Sequence, residues 1–427
     1  DGTWSVSATL TDPAGNVSPA SAALPLVVDT TAPSAPVAPD LVAASDTGSS
    51  STDNLTSDNT PAMSLPGATS GDTVTFTATS GATTKTCSYV AGSASSCDLP
   101  ALTDGTWSVT AKVTDPAGNQ STAGPALALT VDSAAPSAPG AVDLLASSDS
   151  GSSSTDNVTS DTTPAVSATG GSDGDTMTFT ATNGSTTVSC SYVLPATSCD
   201  LPALTDGTWS VSATLTDTAG NQSSAGAALS LTVDSSGPVA ASGPDLVAAS
   251  DTGSSSVDDL TSDTTPAMSV SGGSTGDRIT ISATKDGTSL SCSYVVGTAS
   301  SCDLPALTDG SWSVSGAVTD PAGNTTAAGT PLSLTIDTAS PAISAVDMGD
   351  ESDSGTSFVD NLTSDSTPKM SIPGQTAGDS VVINATNGST SVSCSYTVGI
   401  ATSCDLPALA DGTWSVDDDP ESDDARR

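Results

Sequence analysis

The chain has 427 residues, with 48 acidic side chains against seven Lys and Arg, no histidine, and a net charge of −41 at pH 7. Nothing in it would neutralise phosphate, so nucleic acid and anionic membrane surfaces are poor partners, and a Ser-His-Asp relay is excluded. No stretch approaches the ~20 apolar residues of a membrane helix. Neither a signal peptide nor an initiating Met is visible, so the sequence reads as an internal piece of something longer.

Few aromatics and much Ser, Thr, Gly and Asp would suit disorder, but the apolar residues are patterned. The phrase DG[TS]WSV places tryptophan at Trp4, Trp107, Trp209, Trp312 and Trp414, spaced by 103, 102, 103 and 102 residues. That period is too long for a helical solenoid and fits one small domain per copy. In chain order the expected units are the C-terminal part of a repeat (1–32), complete repeats over 33–135, 136–237 and 238–340, an incomplete repeat over 341–416, and an acidic tail over 417–427.

Within the first complete repeat, the stretch SDTGSSSTDNLTSD (45–58) comes first and has almost nothing to bury. Next, DTVTFTAT (72–79) alternates, with Val74, Phe76 and Ala78 on one face and threonines on the other. A cysteine-bracketed segment follows, then TWSVTAKVTD (106–115), where Trp107, Val109, Ala111 and Val113 share a side. After the turn signal AGN, ALALTVD (126–132) alternates Leu127, Leu129 and Val131 with smaller residues. Period two over Thr- and Val-rich runs means half-buried strands, and PG, SGD, DG and AGN mark the turns between them. About seven short strands in ~100 residues imply an antiparallel β-sandwich. The fold class is therefore all-β: tandem antiparallel β-sandwiches, joined by Pro-rich semi-stiff linkers such as TTAPSAPVAPD into an extended rod.

The run L-V/L-A-A/S-S-D-[TS]-G…[DN]-[LV]-T-S-D-x-T-P, followed by DG[TS]WSV…TD-x-AGN, resembles the bacterial Ig-like repeats of large surface adhesins, including RTX-type and biofilm-associated extender regions. The resemblance covers nearly the whole chain and recurs in each copy. It implies an Ig-like fold, an extracellular place on or released from a bacterial cell, and a spacer role, often with calcium at or near domain junctions. The implied partners are tip and anchor domains of a parent chain, and host or neighbouring-cell surfaces. A cysteine pair in every full copy departs from the common pattern.

The cysteines fall as Cys87/Cys97, Cys190/Cys199, Cys292/Cys302 and Cys394/Cys404, and pairing within each copy is the expected arrangement, implying an oxidising compartment. Closing a loop of about ten residues contributes on the order of 2–3 kcal/mol in the chain-entropy model. Zinc is disfavoured, since each copy supplies two cysteines and the chain no histidine.

Two motifs imitate catalytic ones. DTGS at 46–49 and its copies resemble an aspartic-protease signature, but they follow Ala-Ala-Ser or its like, lead into more Ser, and come in four tandem copies. GGSDG (170–174) fits G-x-S-x-G only as a Gly-rich turn. The expectation is no enzyme.

Two aspartate sets are candidate calcium ligands, because short carboxylates and nearby carbonyls supply the six to eight oxygens the ion takes. At the junctions they are the strand-ending Asp29, Asp132 and Asp234 together with Asp115, Asp217 and Asp320 of the TD-x-AGN turns, with Asp115 expected to face Asp29 across the linker. In the opening loop they are Asp46, Asp53 and Asp58. The competing reading gives all of them Asx turns and strand ends.

The last copy runs from Trp414 into DDDPESDDARR and lacks about two strands, as in a partial gene or truncated reading frame. A sharper alternative has the N-terminal strands of one molecule complete the last copy of another. The expected function is a non-catalytic extracellular spacer holding a binding tip away from the cell. The alternative is a binding module whose domains themselves touch glycan, host protein or neighbouring cells.

Overall fold

A computed structural model describes residues 1–253 and 255–418, and these contain strands but no helix. The first complete repeat shows the plan. A five-stranded sheet runs in the order Leu55–Thr56, Leu127–Val131, Gly105–Thr114, Thr73–Ser80, Thr83–Val90. A three-stranded sheet of Asp40–Leu41, Ala62–Ser64 and Ser96–Asp98 covers it. Pairing is antiparallel except between Leu55–Thr56 and Leu127–Val131, which run parallel. The eight strands exceed the seven expected by this two-residue one, too short to show alternation.

Alternation decides which faces meet. Val74, Phe76 and Ala78 on one strand, and Trp107, Val109, Ala111 and Val113 on the next, are buried between the sheets. Leu129 and Val131 join them, while Leu127 is half-buried at the margin. The Trp107 indole N–H donates to Thr103 O at 2.9 Å, so the largest core side chain leaves no buried donor unpaired. Tyr89 spans the sheets, its hydroxyl accepting from the Leu65 N–H at 3.3 Å. The long hairpin closes through two residues. In the third repeat these are Asp286 and Gly287, at φ 51° and 81°, the left-handed pair that matches strand twist.

Disulfides Cys87–Cys97, Cys190–Cys199, Cys292–Cys302 and Cys394–Cys404 all form, with Cα–Cα distances of 5.8–6.1 Å. Each joins the edge of the large sheet to the edge of the small one, Thr83–Val90 to Ser96–Asp98 in the first repeat. The staple therefore crosses between layers.

Complete repeats two and three repeat this topology around their own cores. In the fourth, the described residues give two three-stranded sheets, one of them closed by Ser415–Asp418, and Trp414 is half-buried. The expected acidic tail lies, from residue 419 on, outside the described residues. Ahead of the first complete repeat, Gly2–Val6 pairs with Leu24–Val28 as an exposed hairpin.

Candidate functional site

The opening loop is built by its own hydroxyls and carboxylates. After strand Asp40–Leu41 the chain turns, with the Ser45 and Asp46 N–H groups both donating to Val42 O. The Thr56 hydroxyl then donates back to Ser45 O and pins the far end of the loop. Ser45 Oγ donates to Asp58 Oδ2 at 2.8 Å, and Asp58 Oδ1 accepts the Thr60 N–H at 2.8 Å. Asp53 Oδ1 caps the Leu55 N–H at 3.1 Å. Asp58 is thus committed to holding the loop together.

Asp46 is different. Its Oδ2 has one long contact, from the Asn54 N–H at 3.4 Å, while its Oδ1 is buried and, among the described residues, has no hydrogen-bond partner. The same oxygen is orphaned in Asp149, Asp251 and Asp353, at the equivalent places of the other repeats. Burial pushes the Asp46 carboxyl above its ordinary value; the Asn54 N–H draws it back, and the charges of Asp53 and Asp40 add to the rise. Asp149 is raised likewise, burial first, with Asn157 opposing and Asp156 and Asp143 adding. In the third repeat a cavity of about 440 Å³ opens here, lined by Asp245, Asp251 and Asp259 with Ser256 and Val257. Burial and then the charges of Asp251, Asp245 and Asp258 raise Asp259.

The junction aspartates are mostly spent on their own turns. Asp115 Oδ1 accepts the Asn119 N–H and its Oδ2 the Asn119 side-chain amide, both at 2.9 Å. That amide bond, with the turn N–H groups, holds the Asp115 carboxyl below its ordinary value. Asp217 and Asp320 bind Asn221 and Asn324 in the same way. Asp29, Asp132 and Asp234 each accept the N–H two residues on, as Asx turns.

These turns nevertheless meet the preceding copy. Asn119 Nδ2 donates to Asp29 O at 3.1 Å, and Asn221 and Asn324 donate to Asp132 O and Asp234 O at 2.7 Å. The carboxylates of Asp115 and Asp29 do not make that contact; an amide and a main-chain carbonyl do. The opening loop joins the same junction. Thr47 Oγ1 accepts the Ser57 N–H at 2.7 Å and donates to Ala219 O at 2.7 Å, in the AGN turn of the next repeat. Ser150 repeats both bonds with Ser160 and Ala322, at 2.8 and 2.7 Å. Gly48 lies so close to that turn that a Cβ would sit 2.2 Å from Thr218 O, and one on Gly151 would sit 2.1 Å from Pro321 O.

Sequence reasoning missed Asn119, Asn221 and Asn324, the loop hydroxyls, and Asp40, Asp143, Asp245 and Asp347. The last set recurs six residues before each orphaned aspartate, a repeat signal present in the sequence. Among the described residues no three acidic or Cys side chains converge as a ready-made metal site. The DTGS aspartates sit in separate domains rather than as a dyad.

Comparison with known proteins gives the family. None of the curated proteins is similar in sequence to the chain. Among solved structures, the FN1–FN3 domains of chicken CNTN1 align at 11% identity and a TM-score of 0.31, covering 71% of this chain and 99% of that one. A Ca2+-stabilized adhesin that helps an Antarctic bacterium bind ice aligns at 19% identity and a TM-score of 0.29, covering 91% and 98%. A 1.5-MDa bacterial ice-binding adhesin aligns at 19% and 0.26, covering 65% and 89%. The bacterial Ig-like domain family matches residues 32–133, 136–235, 238–338 and 340–418. With four matches that together take in most of its length, the chain belongs to the bacterial Ig-like domain family.

Proposed function

We propose that the chain is a non-catalytic spacer segment of an extracellular bacterial adhesin, carrying tip and anchor domains of a longer parent chain at a fixed separation. The observation that supports this most is the repeated clasp between neighbouring repeats. Thr47 with Ala219 and Ser150 with Ala322 use the same atoms at successive junctions, 172 residues apart in each case. Asn221 and Asn324 add a second bond to the preceding strand end each time. A chain that holds each domain to the next by the same contacts transmits position along its length, which is what a spacer has to do. Calcium in the repeats enters this reading as a stiffener of loops that already touch the next domain.

Small-angle X-ray scattering of the full chain tests it. With a domain about 35–45 Å long, the spacer reading expects a maximum dimension of roughly 150 Å or more. A compact particle less than about half that length would overturn it.

A further inference from the structure

We propose that the free edge strand of the large sheet pairs, antiparallel, with the same strand of a second copy of this chain, so that two chains join side by side through their second, third and fourth repeats. This pairing is a property of the sheet edge and is independent of the spacer role.

The large sheet ends on Thr83–Val90 in the first complete repeat and on Thr186–Val193 and Thr288–Val295 in the next two. In the fourth, Thr390–Thr397 likewise lies at the edge of its sheet. Each edge strand runs eight residues in unbroken register with its neighbour and contains no proline. In the third repeat Lys285 and Thr288 flank the two-residue turn as a pair that exchanges both its bonds. Ladder alternation then turns the N–H and C=O groups of Ser289, Ser291 and Ser293 outward, at exposed positions. Among the described residues no further strand pairs with them.

A long open edge invites pairing with another chain, and folds usually guard it with an inward-pointing charge, above all lysine. The first complete repeat has this guard: Lys85 stands opposite buried Ala78, on the inner side of the strand. The corresponding residues are Val188, Leu290 and Val392, opposite Ala181, Ala283 and Ala385, and all three pack on the cores. These three edges are unguarded. The charge distribution agrees. The chain carries 48 acids, yet none lies on a strand of the three complete five-stranded sheets, whereas Lys85, Lys112, Arg278 and Lys285 do.

The occupant that fits is the strand itself. Run antiparallel about Ser291, it sets Ser289 opposite Ser293 and Ser291 opposite its own copy, so every outward group finds a partner across a two-fold axis. The facing side chains are then neutral hydroxyls, and no like charges meet. Thr187, Ser189 and Ser191 offer the same set in the second repeat, and Ser391, Ser393 and Ser395 in the fourth. Weak pairings repeated along one chain reinforce one another by avidity.

Sedimentation velocity of the full chain tests this, with EDTA present so that no divalent ion bridges acidic surfaces. A two-chain species should grow with concentration at ~0.15 M salt, where charges are screened beyond about 8 Å, and fade at ~0.01 M, where repulsion reaches about 30 Å. Val188→Lys, Leu290→Lys and Val392→Lys together should weaken it by at least about tenfold. The first complete repeat already folds with lysine at that place. Ser291→Pro removes an outward N–H that its own domain does not use, and should weaken pairing about tenfold with melting unchanged. Lys85→Val, by opening a fourth edge, should strengthen it. A chain that stays monomeric up to about millimolar concentration overturns the proposal. So does association that grows as salt is lowered, or that is unchanged in the triple lysine variant or in Ser291→Pro.

Discussion

The hydroxyl of Thr47 donates to the main-chain oxygen of Ala219 at 2.7 Å, across two different domains. The same hydroxyl accepts the Ser57 N–H at 2.7 Å and lies within hydrogen-bond distance of the Thr56 and Ser57 hydroxyls of its own loop. One side chain therefore both closes its own loop and clasps the next domain.

Removing that room should open the junction. Gly48→Ala places a Cβ 2.2 Å from Thr218 O, against main chain that cannot step aside. Gly253→Ala, at nearly the same φ of 103° against 101°, meets nothing within 4 Å. Both variants carry the same backbone strain, so any excess effect of the first belongs to the clasp. Residual dipolar couplings between the first two complete repeats should show loss of fixed orientation in Gly48→Ala and none in Gly253→Ala.

The core prediction contrasts two tryptophans of the same motif. Trp107 is 1% exposed and Trp4 is 62% exposed. Trp107→Ala should destabilise its repeat by about 3–5 kcal/mol, and Trp4→Ala should stay within about 0.5 kcal/mol. Chemical denaturation monitored repeat by repeat checks both.

Disulfide removal should matter in proportion to how small each core is. Replacing Cys87 and Cys97 by Ala frees a loop closed over a separation of ten residues. A loss of about 2–3 kcal/mol corresponds to a fall of roughly 10 °C or more in Tm for a domain of this size. Calorimetry should resolve that repeat as a separate, earlier transition.

The acid dependence carries a sign. The folded carboxyls of Asp46 and Asp149 are raised, mainly by burial, so each contributes stability fully present below its unfolded value and lost as pH rises through the folded one. Asp104 and Asp115, lowered chiefly by bonds from Ser133 and Asn119, act oppositely: their contribution is present above the ordinary value and lost as pH falls. In calcium-free buffer near neutral pH, Asp46→Asn should therefore raise the melting temperature of its repeat. A turn-forming Asp46 would give a decrease instead.

How much of this was legible follows from the range of each interaction. Alternation in residues 72–79 and 106–115 is local, and it placed Phe76 and Trp107 in the core directly. The cysteine pairs lie nine or ten residues apart and needed no more than proximity. The clasp was invisible because Thr47 and Ala219 share no pattern along the chain. Asp115 drew attention by its charge, yet its carboxylate folds back on Asn119, a local Asx preference that outweighs any reach across the linker. Asn119, whose amide does reach Asp29 O, carries no charge to flag it.

The parallel pairing of Leu55–Thr56 with Leu127–Val131 has a mechanical consequence. The Thr130 and Asp132 N–H groups donate to Asn54 O and Thr56 O, both at 2.9 Å, tying the first part of the repeat to its last strand. Tension applied through the two ends of a repeat drags these parallel strands in opposite directions along their length. The bonds are then loaded together in shear instead of being unzipped one by one. The second and third repeats hold the same pair of bonds, from Thr232 and Asp234 and from Thr335 and Asp337. Each domain is thus latched where a pulled tether would grip it, and behind the latch the disulfide keeps its loop from paying out as slack.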